Sequence, residues 1–152
     1  MKKALALAAT HLIVLAIGFA AGVYTLPLLT APKTTAALPT EGVIYEGRFR
    51  RDLKDSDFLH WGEGRVLLTA QSVAFEGELA PGPDYKLYLS PRFVETEADF
   101  RALKASMLRV GDVKGFKRFV LPLPDGADLT RYDTVVVWCE SFDQFITAAT
   151  FR

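Results

Sequence analysis

Two residues stand out in this sequence as carriers of chemistry. Cys139 is the single cysteine of the 152-residue chain, and His60 is the histidine that lies outside the apolar N-terminal run containing His11. A thiolate is a nucleophile, a redox-active group and a soft metal ligand, whereas an imidazole carries protons near neutral pH. Because one cysteine excludes an internal disulfide and a multi-cysteine metal site, we predict no metal centre.

The surroundings of Cys139 leave two interpretations open. The residue lies in the segment Thr134–Glu140, which reads TVVVWCE. In an oxidising compartment an unpaired thiol is readily oxidised or captured in a mixed disulfide, which favours a redox or ligating role. Free cysteine is also among the most buried residue types, so Cys139 could instead be a small core residue of a valine-rich strand.

His60 lies in the stretch DFLHWGEG, from Asp57 to Gly64. Asp57 and Glu63 are each within three residues and could orient the ring. The imidazole could then act as an axial ligand or a proton carrier. The residues alone favour the other interpretation, in which His60 is a turn residue packed beside Trp61.

The N-terminal residues predict a membrane segment. No charged residue occurs from Ala4 to Pro32, and Lys2 and Lys3 come directly before this run. We interpret residues 1–29 as a transmembrane anchor or a signal segment, since about 20 apolar residues cross a bilayer. The lysine pair predicts a cytoplasmic N-terminus, and therefore a domain on the periplasmic or extracellular side.

The rest of the chain predicts a linker and one folded domain. Residues 30–42 are rich in Pro, Thr and Ala and indicate an extended spacer, and residues 43–152 form the domain. From Glu41 onward the chain has fifteen Lys and Arg against eighteen Asp and Glu. This acidic balance disfavours a nucleic-acid-binding protein. The hydrophobic content of 50% excludes disorder.

Short Val-, Phe- and Tyr-rich segments between Gly, Pro and Asp breaks predict an all-β fold, specifically an antiparallel β-sandwich. Thr96 is placed to cap one short helix from Glu97 to about Ser106, which we expect across one opening of the sandwich. The predicted strands are Val43–Arg50, Gly64–Ala70, Ser72–Glu76, Tyr85–Ser90, Leu108–Asp112, Phe116–Leu121, Thr134–Glu140 and Gln144–Phe151.

Two of these strands carry contrasting patterns. The strand at Thr134 is apolar on both faces, which predicts that it is covered on both sides. The strand at Tyr85 places Lys86 and Ser90 on one face, which predicts that this face is wet.

Several blocks of the domain together resemble the DM-thirteen domain family. They are His60 before its glycine-rich step, PGPDYKLYLS from Pro81 to Ser90, GDVKG from Gly111 to Gly115, the Leu-Pro pair at 121 and 122, and YDTVVVWCESF from Tyr132 to Phe142. The similarity spans Val43 to Phe151, and its last block is the most specific. Bacterial members of that family look like short secreted or membrane-anchored proteins.

The resemblance implies a proposed role in electron transfer. The single cysteine shared by the family falls on Cys139, and its histidine position falls on His60. Because the chain has no cytochrome-like domain beside this one, the role implies a separate redox partner protein. The cofactor is left open; if a haem is bound, the resemblance makes Cys139 its natural soft ligand and His60 a second ligand.

The rival prediction is a binding or adhesion module without catalysis. It would present exposed aromatic residues such as Trp61, Tyr85 and Tyr88 to a glycan, peptide or protein. The accessibility of Cys139 and of these rings separates the two predictions. The sequence does not decide whether the protein is an enzyme.

Overall fold

A long apolar helix begins the chain. The computed structural model describes residues 1–32 and 37–152, and its first element is α1, Lys2–Thr30. The 29 residues of α1 extend over roughly 44 Å at 1.5 Å per residue, more than the hydrocarbon thickness of about 30 Å. Its mean hydropathy is 2.2, and no residue of this fully described helix is buried. The helix is thus long and apolar enough to anchor the chain in a membrane.

Residues 33–36 of the predicted linker lie outside the described residues. Beyond them, the described chain forms eight strands in the positions that the sequence predicts, with ends that differ by at most three residues. They are β1 (Val43–Phe49), β2 (Gly62–Thr69), β3 (Ser72–Leu79), β4 (Tyr85–Ser90), β5 (Leu108–Val113), β6 (Arg118–Pro122), β7 (Thr134–Cys139) and β8 (Gln144–Thr150).

Within the described ranges the strands form two antiparallel sheets of four strands. The first sheet has the order β1-β2-β3-β6 and the second the order β5-β4-β7-β8. Pro122, which cannot donate a ladder hydrogen bond, ends β6 at a sheet edge. Side chains from both sheets meet in one core, so the predicted all-β sandwich is confirmed.

Strand β7 is buried along its whole length, as its sequence predicts. The side chains of Val135, Val137 and Cys139 point between the two sheets, where they join the main core. Val136 and Trp138 point to the outer face of the second sheet and join a separate cluster there. The alternation of side chains along an extended strand produces this division.

The cover over that outer face is a short helix. Helix α2, Glu97–Leu103, continues as a 3-10 turn over Lys104–Ser106, and the Thr96 hydroxyl accepts a bond from the amide of Asp99 as expected of an N-cap. The ring of Phe100 stacks on that of Trp138 with centroids 3.9 Å apart. The helix therefore packs on a sheet face, and the prediction that it crosses an opening of the sandwich is wrong.

The same helix overturns the prediction of a wet face on β4. Tyr88 is only 6% exposed and packs edge-on against Phe100, and Ser90 is fully buried with its hydroxyl bonded to the carbonyl of Arg92. Only Lys86 retains partial exposure along this described strand. Strand alternation identifies a face but not the element that covers it.

We predict that Phe100→Ala destabilises the domain by about 3–5 kcal/mol, because it removes a fully buried ring and leaves a cavity over Trp138. Denaturant unfolding of the detergent-solubilised chain, followed by near-ultraviolet circular dichroism, measures the loss. Phe93→Ala is the matched control, since that ring is 40% exposed, and we expect a change below about 1 kcal/mol. Equal losses in the two variants would contradict the role assigned to the stack.

Candidate functional site

Cys139 is the last residue of β7, at one end of the sandwich. It pairs with Tyr85 on β4 and with Gln144 on β8, and its side chain points into the main core. The residue is 2% exposed. The thiol is consequently a buried group, but one that lies where the core meets the loops.

His60 lies in the loop that precedes β2, at the same end of the sandwich. The Oδ1 atom of Asp57 accepts hydrogen bonds from the amides of Leu59 and His60 at 2.7 and 2.8 Å. The Oδ2 atom lies 3.0 Å from Nδ1 of the His60 ring. Asp57 therefore orients the imidazole, whereas Glu63, the other carboxylate considered above, pairs with Arg51 at 3.1 Å.

The bond to Asp57 also determines which ring nitrogen of His60 is available. Burial acts to raise the pKa of Asp57, but the hydrogen bonds from the His60 ring and from the amides of Leu59 and His60 hold that pKa below its usual value. The carboxylate is ionised at neutral pH and can only accept, so Nδ1 must carry the hydrogen. The neutral imidazole then has Nε2 as its free base.

Cys139 and His60 meet in one cavity of about 370 Å³. The volume lies within the range of small-molecule sites, about 300–1,000 Å³. Helix α1 forms part of its wall with the side chains of Phe19, Ala20, Val23 and Tyr24. The remaining lining is Leu59, Pro81, Gly82, Pro83, Tyr85, Phe142 and Ile146.

Tyr85 adds a phenol to this cavity. The residue is 3% exposed, and its hydroxyl makes no hydrogen bond within residues 1–32 and 37–152. Burial, with a smaller contribution from Cys139, raises the pKa of Tyr85 far above its usual value. The ring lies directly against Gly82, where a β-carbon would collide with it. The neutral phenol of Tyr85, which makes no hydrogen bond within the described residues, therefore lies beside the thiol of Cys139.

Opposing influences act on the sulfur of Cys139. Burial raises the pKa of the thiol, and the backbone amides of Phe142, Asp84 and Ser141 offset this effect only in part. Burial disfavours the thiolate, whereas hydrogen bonds to the thiolate favour it. At neutral pH the group is thus a protonated thiol surrounded by amides that would stabilise its anion.

The aromatic residues proposed for a binding surface are not presented to solvent as expected. Tyr85 and Tyr88 are 3% and 6% exposed, so the prediction that these two rings are exposed is wrong. Tyr85 lies between the sheets, and Tyr88 lies beneath α2, where its hydroxyl donates to Glu140. Trp61 is partly exposed, and the guanidinium of Arg51 lies 3.3 Å above its ring.

Metal ligation by side chains has little support in this region. In the described part of the chain, no group of three or more His, Cys, Asp and Glu residues is placed to hold a metal ion. Cys139 and His60 remain as the pair that could supply axial ligands to a haem, which needs one or two such ligands from the protein. The protonated state of the buried thiol makes Cys139 a poor ligand until it loses that proton.

Comparison with known protein families identifies the domain. The family model described as electron transfer DM13 matches residues 52–151. The chain belongs to the DM13 family. The match covers the loop of His60 and all of β2 to β8, and it ends one residue after β8. Comparisons with curated proteins and with solved structures gave no match.

The DM13 description indicates electron transfer, the role that the sequence resemblance implies. Sequence reasoning named Cys139, His60 and Asp57 in this region but missed Tyr85 as a lining residue. The signal was the spacing of Gly82 and Tyr85, because a glycine beside a turn permits the close approach of a ring. The amides of Ser141 and Phe142 carry no sequence signal, since every residue has one.

The raised pKa of Cys139 predicts a fall in stability at alkaline pH. The folded thiol keeps a proton that the unfolded chain releases above about pH 8.5, so the free energy of unfolding should decrease from there upward. Urea unfolding at pH near 7, 8.5 and 9.5 measures this decrease. We expect Cys139→Ala to lose the decrease in that interval, which lies below the ordinary titration of tyrosine near 10. The same pH slope in both proteins would argue against a buried, protonated thiol.

Proposed function

We propose that this domain is exported, tethered to the membrane by α1, and transfers electrons through the thiol of Cys139. The observation that carries the proposal is the cavity that Cys139, His60 and Tyr85 share. A cysteine with a purely structural role needs no cavity beside it and no oriented imidazole. Membership in a family described as electron transfer DM13 also supports this proposal.

The chemistry that suits a lone cysteine is thiol–disulfide exchange with a separate redox partner protein. The Cys139 thiolate attacks one sulfur of a partner disulfide, a new S–S bond forms, and the other partner sulfur leaves as a thiolate that takes up a proton. A first thiol of the electron donor then attacks the sulfur of Cys139 and releases the acceptor as its second thiol, and a second donor thiol attacks the donor sulfur of the new mixed disulfide, which forms the donor disulfide and releases Cys139. Two electrons have passed from donor to acceptor, and Cys139 ends as it began.

His60 supplies the proton transfers in this scheme. Its Nε2 atom accepts the proton of the Cys139 thiol as the thiolate forms, and it returns a proton to the departing sulfur. Asp57 holds the ring in the required tautomer through its contact with Nδ1. The amides of Ser141 and Phe142 stabilise the thiolate once it forms.

The position of α1 controls access to the sulfur in this proposal. Four residues of α1 form part of the cavity wall, and α1 is long and apolar enough to span a bilayer. When α1 lies in the bilayer, that wall is withdrawn and the cavity opens on the side that α1 covered. The lysine pair Lys2 and Lys3 favours an orientation with the domain outside the cytoplasm.

The test uses the full chain in lipid vesicles and glutathione disulfide as the oxidant, with the mixed disulfide followed by intact-protein mass spectrometry. We expect the native chain to form the adduct and Cys139→Ser to form none. His60→Gln should slow adduct formation at neutral pH by about 10²-fold, because a general base contributes on that order. The deficit should disappear at strongly alkaline pH, where hydroxide removes the proton.

His11→Gln is the matched control, because it makes the same substitution at the other histidine, within α1. It should react at the native rate. A deficit in His60→Gln that persists at all pH values would assign His60 a structural role. Reaction of the native thiol only after denaturation would make Cys139 a core residue. A visible spectrum of the chain with and without haem decides between thiol exchange and haem ligation.

A further inference from the structure

Loops at one end of the sandwich expose apolar side chains around the cavity. We call this the Cys139 end; it comprises the loop before β2 and the β3–β4, β5–β6 and β7–β8 connections. Phe58 is 84% exposed, Phe142 is 50% exposed and Leu59 is 41% exposed. Apolar rings at the tips of neighbouring loops are costly in water and are typical of surfaces that meet a partner or a membrane.

We propose that the Cys139 end lies on the surface of the bilayer that holds α1, with Phe58, Leu59 and Phe142 in the interfacial layer. This surface borders the cavity of Cys139, because Leu59 and Phe142 belong to both, but the inference holds whether or not Cys139 is redox-active. It concerns which end of the domain faces the membrane. It depends only on α1 being the anchor.

The end of the anchor meets this end of the domain. Ala31, directly after α1, packs against the main core, and a second cavity of about 560 Å³ lies between the last turns of α1 and Val113, at the end of β5, and Phe116 in the loop that follows. The C-terminus of the helix is where the chain leaves the bilayer. The Cys139 end is therefore beside the point of exit.

The linker is long enough for this arrangement although β1 begins at the opposite end. Val43 pairs with Thr69, far from Gly62 at the Cys139 end, and the eight residues of β2 extend over about 26 Å at 3.3 Å each. Residues 31–42 reach about 37 Å as an extended chain at 3.1 Å per residue. That span exceeds the length of the sandwich, so the linker can run from the bilayer to the distal end.

Charges at the two ends favour the same orientation on an anionic bilayer. Lys114 and Lys117 on the β5–β6 loop are exposed and have no ion-pair partner among the described residues. Four carboxylates near the Cys139 end have cationic or imidazole partners, in the pairs Asp57–His60, Asp84–Lys86, Glu140–Lys104 and Asp143–Arg101, whereas Asp55 accepts a hydrogen bond from the amide of Glu97. The opposite end carries the carboxylates of Asp125 and Asp128 together with the guanidinium groups of Arg131 and Arg152, and these four charges cancel. Lysines attract anionic headgroups, and carboxylates are repelled.

The contact with α1 also supports lipid as the partner that covers the Cys139 end. Phe19, Val23 and Tyr24 of the helix lie against the cavity at the Cys139 end. When α1 spans the bilayer, these side chains lie among the lipids and leave that surface uncovered. The same bilayer then supplies apolar groups of the same kind at the level where the helix emerges.

The experiment places a tryptophan reporter at each end of the full chain. Phe58→Trp reports on the Cys139 end, and Ile44→Trp, at another exposed apolar position, is the matched control at the distal end. Each chain is reconstituted into vesicles of phosphatidylcholine and phosphatidylglycerol, with or without bromine on the acyl chains near the headgroup. We expect brominated lipid to quench the added tryptophan at position 58 and not that at position 44, after subtraction of the native signal.

A second pair of variants tests the charge argument. In the Phe58→Trp chain, Lys114→Glu with Lys117→Glu should weaken the quenching, and added salt should weaken it as well. Arg131→Glu with Arg152→Glu makes the same change in net charge near the distal end and should leave the quenching unchanged. A loss in both double variants would indicate a general charge effect and overturn the assigned orientation.

Flotation of the vesicles first verifies that each chain is membrane-bound. Chains that float but show equal quenching at both positions, or stronger quenching at position 44, overturn the proposal. Chains that do not float overturn the anchoring by α1 on which it depends. Because glutathione reactivity is measured separately, failure here leaves the proposed role of Cys139 to its own test.

Discussion

Burial of β7 on both faces is the constraint on which the rest of the structure depends. All six residues of the strand are buried, so its two neighbours, the opposite sheet and α2 must all be in place around it. This enclosure fixes the thiol of Cys139 at the last position of the strand, where the packed core gives way to loops. A shift of the strand by one residue would turn the thiol to the outer face, beneath α2.

The location of α2 decides which parts of the sandwich stay open. Because Phe100 stacks on Trp138, the helix covers the outer face of the second sheet and leaves both ends of the sandwich to the loops. At the Cys139 end the β3–β4, β5–β6 and β7–β8 loops are short, and the first of them contains Pro81 and Pro83, which favour a compact turn. A cavity therefore persists beside the thiol, although the residue is almost fully buried.

The sequence predicts the strands well because strand formation here follows from local signals. Alternation in β7 and the breaks at proline and glycine act over a few residues, and Thr96 caps α2 through an atom three residues away. The pairing of Asp57 with His60 is equally local. These features depend on neighbours in the chain, so their physical cause can be recognised without a fold.

Contacts between segments that are distant in the chain could not be predicted from the sequence. Tyr88 and Trp61 are both aromatic, yet Tyr88 is covered by α2 and Trp61 remains partly exposed, because only the fold determines what lies above each ring. In the same way, nothing in the spacing brings Cys139 and His60 to one cavity. Cys139 and His60 line the same cavity only because the two sheets end at the same level. The strand registers determine that level, and the sequence around either residue does not.

The buried state of the thiol and its proposed reactivity are compatible because they depend on different physical effects, namely desolvation and hydrogen bonding by backbone amides. Desolvation, which raises the pKa of Cys139, depends on how much of the cavity wall is in place, and α1 supplies part of that wall. The amides of Ser141 and Phe142 belong to the turn after β7 and not to α1. Withdrawal of the helix would lower the penalty on the thiolate only as far as water, rather than the apolar groups of the bilayer, takes its place beside the sulfur. Anchoring and thiol reactivity would then be linked by the same contact, since the helix proposed to hold the protein at the membrane also forms part of the wall of its cavity.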